Sequence, residues 1–338
     1  MAPCRNVIMT SEWLNGGASV VGTNHLENNT PCQDSYAIEY SQDKNWIAAA
    51  VCDGAGSAKK SEVGSQLVAN EFAKKLIHLS EEFKNKQPGT WINDYIIQQV
   101  LIVRDELRKI ANSDTLEDYH TTLVACLVGK TGGFVIHIGD GSLVGGVTCQ
   151  EKDRLVIDYE SFISEPQNGE YLNETFFITE PNWIKNIRVT PLPPLDWFLI
   201  GTDGGSAFYL NHLNIEKQDF ITSFIEDIRK ISPDNWSERI KNILQDERAI
   251  NVTNDDKTLI FFAKRNFIEK NIQLISKSSN SPGKSQEFKK KEDPTVEKIP
   301  NAKKTELKKS EFKLSKLSLI IVLVLSLLFG LVAYLLIN

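Results

Sequence analysis

Apolar and polar positions alternate in two rhythms along the first 265 residues. Short runs of apolar or β-branched side chains, bounded by Gly, Asn, Asp and Ser, predict strands over 18–22, 35–40, 46–52 and 121–128. Further runs predict strands over 134–138, 143–148, 197–201 and 258–263. A helical rhythm replaces them at Val63, Leu67, Val68, Phe72 and Leu76, and again at Ile92, Ile96, Val100, Val103 and Leu107. Two further helices are predicted over 215–231 and 236–244. Helices fall in blocks between blocks of strands and do not follow each strand in turn. That order predicts a layered α+β domain over residues 10–265, not a parallel βαβ sheet.

Beyond residue 265 the pattern changes twice. Residues 266–316 are rich in Lys, Ser, Glu and Pro and poor in large apolar groups, so they bury too little to offset the entropy of ordering. A flexible basic linker is expected there. Residues 317–337 (LSLIIVLVLSLLFGLVAYLLI) hold no charge. At ~1.5 Å per residue such a helix spans the roughly 30 Å hydrocarbon core of a bilayer. The run is therefore read as a transmembrane helix. Lys303, Lys304, Lys308, Lys309, Lys313 and Lys316 precede it and only Asn338 follows. By the positive-inside rule the folded body faces the cytosol, at the inner (cytoplasmic) membrane, with the lysines placed to meet anionic headgroups.

Charge sharpens the division. The linker carries 13 Lys against 7 acids, whereas residues 1–265 carry 25 basic and 37 acidic side chains. An acidic body lacks the basic face that phosphate-backbone binding needs, so nucleic acid is not an expected partner. The cysteines Cys4, Cys32, Cys52, Cys126 and Cys149 are scattered without a C-x-x-C pair, and the five histidines show no zinc-ligand spacing. Reduced thiols in the cytosol are the expectation.

The candidate chemistry is acidic. Three apolar strands run into Asp-Gly: Asp53-Gly54, Asp140-Gly141 and Asp203-Gly204. Asp255-Asp256 precedes the last strand and Asp34 precedes the second. Taken singly, Asp-Gly is the ordinary hairpin-turn signal, since both residues tolerate positive φ. Taken together, strands of one sheet or sandwich carry their terminal carboxylates to a common rim, where they repel one another unless cations neutralise them. Hard divalent ions, Mg²⁺ or Mn²⁺, prefer such oxygen-only sites. A pair of them activates water for attack on phosphorus without a covalent side-chain nucleophile.

Six ordered blocks carry a resemblance across residues 16–264: GASVVGTNH…NNTPCQDSYAI, VCDGAGSAKKSEVGSQLVA, HTTLVACLV, IHIGDGSLVGG, FLIGTDGGSAF and NDDKTLIFFAK. In them the chain resembles the metal-dependent serine/threonine phosphatases of the protein phosphatase 2C type, especially their shorter bacterial branch. The resemblance implies a β-sandwich of two antiparallel sheets flanked by helices, with two Mn²⁺ or Mg²⁺ at one end and a weaker third position. It implies that Asp53 bridges both metals, that the Gly54 carbonyl meets the second, and that Asp203 and Asp255 complete the first. Asp140 matches the third position, and Asp34 acts through bound water. Asp34 and Asp53 are thereby the catalytic pair. The implied partners are phosphoserine and phosphothreonine proteins and a cognate serine/threonine kinase.

Three positions depart from the family pattern. Gln33 stands where relatives place a glutamate, Ala55 where many place a histidine, and the stretch HLENNTPCQ lacks the phosphate-binding arginine. His25 is the nearby group able to approach a substrate phosphate, and Lys59 and Lys60 are placed to draw in a phosphorylated chain. These departures leave a second expectation open, a pseudophosphatase that holds phosphoprotein at the membrane without hydrolysing it.

Overall fold

The computed structural model describes residues 11–83, 89–151, 154–167, 175–210 and 215–268. The expected membrane span at 317–337 and the linker from residue 269 onward lie outside the described residues. Among the described residues no helix is long and apolar enough to cross a membrane.

The chain runs β1 (Trp13–Val20), α1 (Thr23–Glu27), β2 (Ser35–Tyr40), β3 (Ile47–Cys52), α2 (Ser61–Glu82) and α3 (Trp91–Ala111). It continues through β4 (Leu123–Gly129), β5 (Gly132–Ile138), β6 (Ser142–Glu151), β7 (Arg154–Ser164), β8 (Arg188–Leu192) and β9 (Trp197–Gly201). The last elements are α4 (Asp203–Ser206), α5 (Ile215–Ile228), α6 (Trp236–Leu244), α7 (Glu247–Ile250) and β10 (Lys257–Lys264). One sheet has the order β1-β10-β9-β6-β7 and the other β2-β3-β4-β5-β8, with every pairing antiparallel. The expected pair of antiparallel sheets flanked by helices is present.

Successive residues of a strand point to opposite faces, and here both faces of the central strands are buried. In β3, Ile47, Ala49 and Val51 meet the other sheet while Ala48, Ala50 and Cys52 meet the helices α2 and α3. In β10, Ile260 and Phe262 point between the sheets while Leu259, Phe261 and Ala263 meet α5 and α6. Double burial explains why these strands read as unbroken apolar runs. Phe262 stacks on Phe198 with centroids 4.5 Å apart in the inter-sheet layer. Phe262→Ala is expected to cost ~3–5 kcal/mol of unfolding free energy, read from urea midpoints at unchanged denaturant slope.

Two strands were not foreseen, β7 and β8, and both are sheet edges. An edge strand needs no continuous apolar run, and β8 contains Pro191, which marks a loop in sequence yet is tolerated at an edge. β1 begins at Trp13, earlier than expected, because Asn15, Gly16 and Gly17 interrupt the apolar pattern without interrupting the pairing to β10. The folded body also runs past residue 265: Phe267 and Ile268 are buried against the α5–α6 layer.

Candidate functional site

Antiparallel order decides where the acidic residues meet. The ends of β3, β5 and β9 and the beginnings of β2, β4, β6 and β10 all lie at one rim, as the registers Ser35↔Cys52, Leu123↔Ile138, Ser142↔Gly201 and Leu259↔Gly201 require. Asp53 follows β3, Asp140 follows β5, Asp203 opens α4 after β9, Asp34 precedes β2 and Asp255 precedes β10. None of the three Asp-Gly pairs is a two-residue hairpin. Asp53-Gly54 leads toward α2, Asp203-Gly204 begins α4, and Asp140-Gly141 carries the chain from one sheet to the other.

The backbone of the Asp53 turn is held tightly. Asp53 N–H donates to Thr122 Oγ1 at 3.0 Å, while Asp53 O accepts from Thr121 Oγ1 and Thr122 N–H, both at 2.9 Å. Gly54 N–H donates to Gln33 O at 3.2 Å. A Cβ on Gly54 would stand 2.7 Å from Gln33 O and 2.8 Å from Ser61 Cβ, so only glycine fits there. Gly139, at φ +111°, turns the chain into Asp140.

The side chains crowd one another electrostatically. Asp34 is buried, with Thr202 Oγ1 donating to its Oδ2 at 2.7 Å. Burial, then the neighbouring charges of Asp203 and Asp256, push its carboxyl well above the ordinary 3.8. Burial and then Asp34, Asp203 and Asp140 do the same to Asp53. Asp203 rises to about 6 through burial and the charges of Asp140 and Asp255, and its carboxylate is within hydrogen-bonding reach of Asp53. Asp140, which accepts from Thr175 Oγ1, is raised by burial. Like charges held this closely favour protons or cations.

The doublet before β10 divides its labour. Asp255 is exposed at the rim, where its charge reaches Asp203 and Asp140. Asp256 is 2% exposed and saturated. Its Oδ1 accepts Gly22 N–H at 2.6 Å; its Oδ2 accepts Gln33 N–H at 2.6 Å and lies 2.9 Å from His25 Nδ1. This clamp, with Thr202 on Asp34, is what the sequence reading missed; a doublet of acids before an apolar strand was the only trace of it. Lys257, buried beside them, donates from Nζ to Asp255 O at 2.9 Å. Lys59 is exposed, while Lys60 Nζ donates to Tyr119 OH at 3.2 Å.

Whether these residues suit a divalent cation is answered by their unpaired oxygens. Asp34 Oδ1, Asp140 Oδ1 and Gln33 Oε1 are buried without a hydrogen-bond partner, a costly arrangement unless something else binds them. The donor set is all oxygen, which matches Mg²⁺ or Mn²⁺. The groups share a rim without closing on a point: among the described residues no three His, Cys, Asp or Glu side chains stand close enough to hold an ion unaided.

Known proteins offer a comparison. A family model described as protein phosphatase 2C matches residues 21–245. The chain is 27% identical over 253 residues to serine/threonine-protein phosphatase 3 of Escherichia coli (strain K12), covering 72% of this chain and 94% of that one. Among solved structures, a sex determining protein of C. elegans is similar, with a TM-score of 0.50 and 13% identity over 79% of this chain and 68% of that one. At that identity the likeness speaks for the fold alone. Another is the catalytic domain of the serine/threonine protein phosphatase PstP in complex with two manganese ions, with a TM-score of 0.46 and 17% identity over 74% of this chain and 97% of that one.

Proposed function

The chain belongs to the protein phosphatase 2C family of protein serine/threonine phosphatases, hydrolases acting on phosphoproteins, and from that premise we propose that it is a membrane-anchored, divalent-metal-dependent enzyme cleaving phosphoserine and phosphothreonine. The observation that carries the reading is that Asp34, Asp53, Asp140 and Asp203 share one rim, where burial and neighbouring charges raise the carboxyls and where Asp34 Oδ1 and Asp140 Oδ1 are buried without a hydrogen-bond partner.

Asp53, Asp203, Asp255 and the Gly54 carbonyl would hold two ions, Asp34 would act beside them through water, and Asp140 would serve a weaker third position. Bound there, the ions supply Lewis-acid activation of water and neutralise the charge of a phosphoryl group. The protein's part is orientation. Thr202 fixes the Asp34 carboxylate, Thr121 and Thr122 fix the Asp53 backbone, and Asp256 fixes both the Gln33 backbone and the His25 ring. Ala55 offers no proton donor, so protonation of the leaving alcohol would fall to another group, for which His25, held 2.9 Å from Asp256 Oδ2, is the candidate tested by substitution.

The test is hydrolysis of a phosphothreonine peptide by the full chain with Mn²⁺ or Mg²⁺. Turnover that disappears on chelation and in Asp203→Ala supports the proposal; no metal-dependent turnover of any phosphoester defeats it. Gln33 favours a second reading, a phosphoprotein-binding scaffold, because an amide brings no charge to the site. Calorimetric Mn²⁺ titration separates the two: the enzyme takes two ions or more, the scaffold one or none.

Support for anchoring comes from the apolar run 317–337 behind its lysines; by the positive-inside rule the body would then face the cytosol, near a cognate kinase's products. The full chain is expected in the membrane fraction of cell lysates, and a chain ending at residue 316 in the soluble fraction. Equal partition of both would overturn the anchor.

A further inference from the structure

Beside the acidic rim lies a cleft of about 750 Å³, lined by the C-terminal half of α3, the loop 114–120 and residues 176–183. Arg104 and Arg108, one helical turn apart on α3, both line it, with His120 and Trp183. The left-handed Asn112, whose N–H caps Arg108 O, ends α3 and turns the chain into the loop that forms the opposite wall.

Arg104 is 5% exposed. Its Nη1 donates to Ile178 O at 2.6 Å and its guanidinium lies 6.0 Å from the Trp183 ring. Burial, and then the like charge of Arg108, lowers its pKa to about 10. Arg108 is half-buried and reaches Asp114 O at 3.4 Å. A guanidinium this desolvated, with a second cation as its charged neighbour, is most stabilised by an incoming anion, and a dianion answers both charges at once. The acids of the cleft, Glu117 and Glu180, act on His120. Asp114 lies beside Arg108 on the loop.

The cleft adjoins the proposed catalytic rim through hydrogen-bonded backbone. Ala55 N–H donates to His120 O at 2.9 Å and Gly54 pairs with Thr121, so His120 belongs to both the Asp53 turn and the cleft wall.

We infer that this cleft binds a second phosphoryl group of a multiply phosphorylated peptide, with Arg104 and Arg108 as its donors, while the phosphoserine or phosphothreonine to be cleaved lies at the acidic rim. The identity of that peptide as a substrate rests on the phosphatase reading; the binding itself does not. Arg108 is the cleaner probe, since Arg104 also ties α3 to Ile178 and its loss would loosen the wall.

In the full chain with Mn²⁺, Arg108→Gln is expected to raise KM for a doubly phosphorylated peptide about tenfold with kcat unchanged. KM for the singly phosphorylated peptide and for an aryl phosphate should stay within about twofold of the parent. A second measurement follows binding without catalysis, as the change in fluorescence of Trp183 in chelator, with Trp183→Phe as the blank. There the doubly phosphorylated peptide should titrate about tenfold more weakly in Arg108→Gln. Equal changes for both peptides, or none, would overturn the inference. So would a fluorescence change produced by inorganic phosphate and by both peptides alike, which would mark the cleft as a free-phosphate site. If no phosphoester is hydrolysed at all, the phosphatase reading fails, and the fluorescence titration still decides the cleft.

Discussion

Asp53→Asn is expected to lower metal-dependent phosphopeptide turnover by at least about three orders of magnitude, some 4 kcal/mol on the barrier. Asp53 is the carboxyl on which the charges of Asp34, Asp203 and Asp140 all act, so its own negative charge is what a divalent ion at this rim would miss most. The substitution keeps size and shape, and the turn itself is held through backbone bonds to Thr121 and Thr122 that an amide side chain leaves intact. In chelator the sign reverses. Asparagine removes a buried like charge, so the metal-free variant is expected to melt above the parent. Turnover and melting are measured on the same preparations; activity within tenfold of the parent, or a lower melting point in chelator, would contradict the assignment of Asp53.

The second large effect is a dependence of metal-free stability on pH. Asp34 and Asp53 are raised well above 3.8 and Asp203 to about 6, each first through burial. Between the ordinary value and the raised one, the folded protein binds protons that the unfolded chain has released. Unfolding free energy therefore falls as pH rises through that window, which for Asp203 runs from about 4 to 6, and Asp34 and Asp53 act with the same sign. For Asp203 alone the loss is roughly 2 kcal/mol, after allowing for its partial exposure.

His137 works in the opposite direction. Buried between Ser164, Gly139 O and Arg188, it is held neutral with its pKa lowered to about 3. Below its ordinary 6.5 the unfolded chain takes up a proton that the folded one refuses, and stability is lost as pH falls. The difference between the parent and Asp203→Asn isolates the carboxylate from this background. In chelator, urea midpoints of the parent should fall relative to Asp203→Asn from pH 4 to 7; with Mn²⁺ the relative fall should shrink, because a cation takes the place of the protons. Parallel curves in chelator would refute the claim that Asp203 titrates from a crowded acidic rim.

Much of this molecule is readable along the chain, for identifiable reasons. The central strands are buried on both sides, so β3, β4, β9 and β10 announce themselves as unbroken apolar runs. The long helices α2 and α3 pack one face on a sheet and keep the helical stripe that such packing demands. Edge strands carry neither constraint, and β7 and β8 were invisible. The five aspartates at 34, 53, 140, 203 and 255 could be named in advance because each sits at an apolar strand's end, yet hairpin turns would have produced the same Asp-Gly pairs.

Linear order thus settles which segments must be buried, the apolar strands and the helices that cover them, and the acids that interrupt them; that the strands form two sheets was implied by the family resemblance alone. Only folding decides that those acids share one end, because antiparallel pairing sends alternate strand termini to the same rim. Folding also separates Asp255 from Asp256, adjacent in the chain. One is left exposed to act across the rim, while the other is consumed by the N–H groups of Gly22 and Gln33 and the ring of His25. Their partners lie more than two hundred residues away in sequence, so no local pattern encodes that difference.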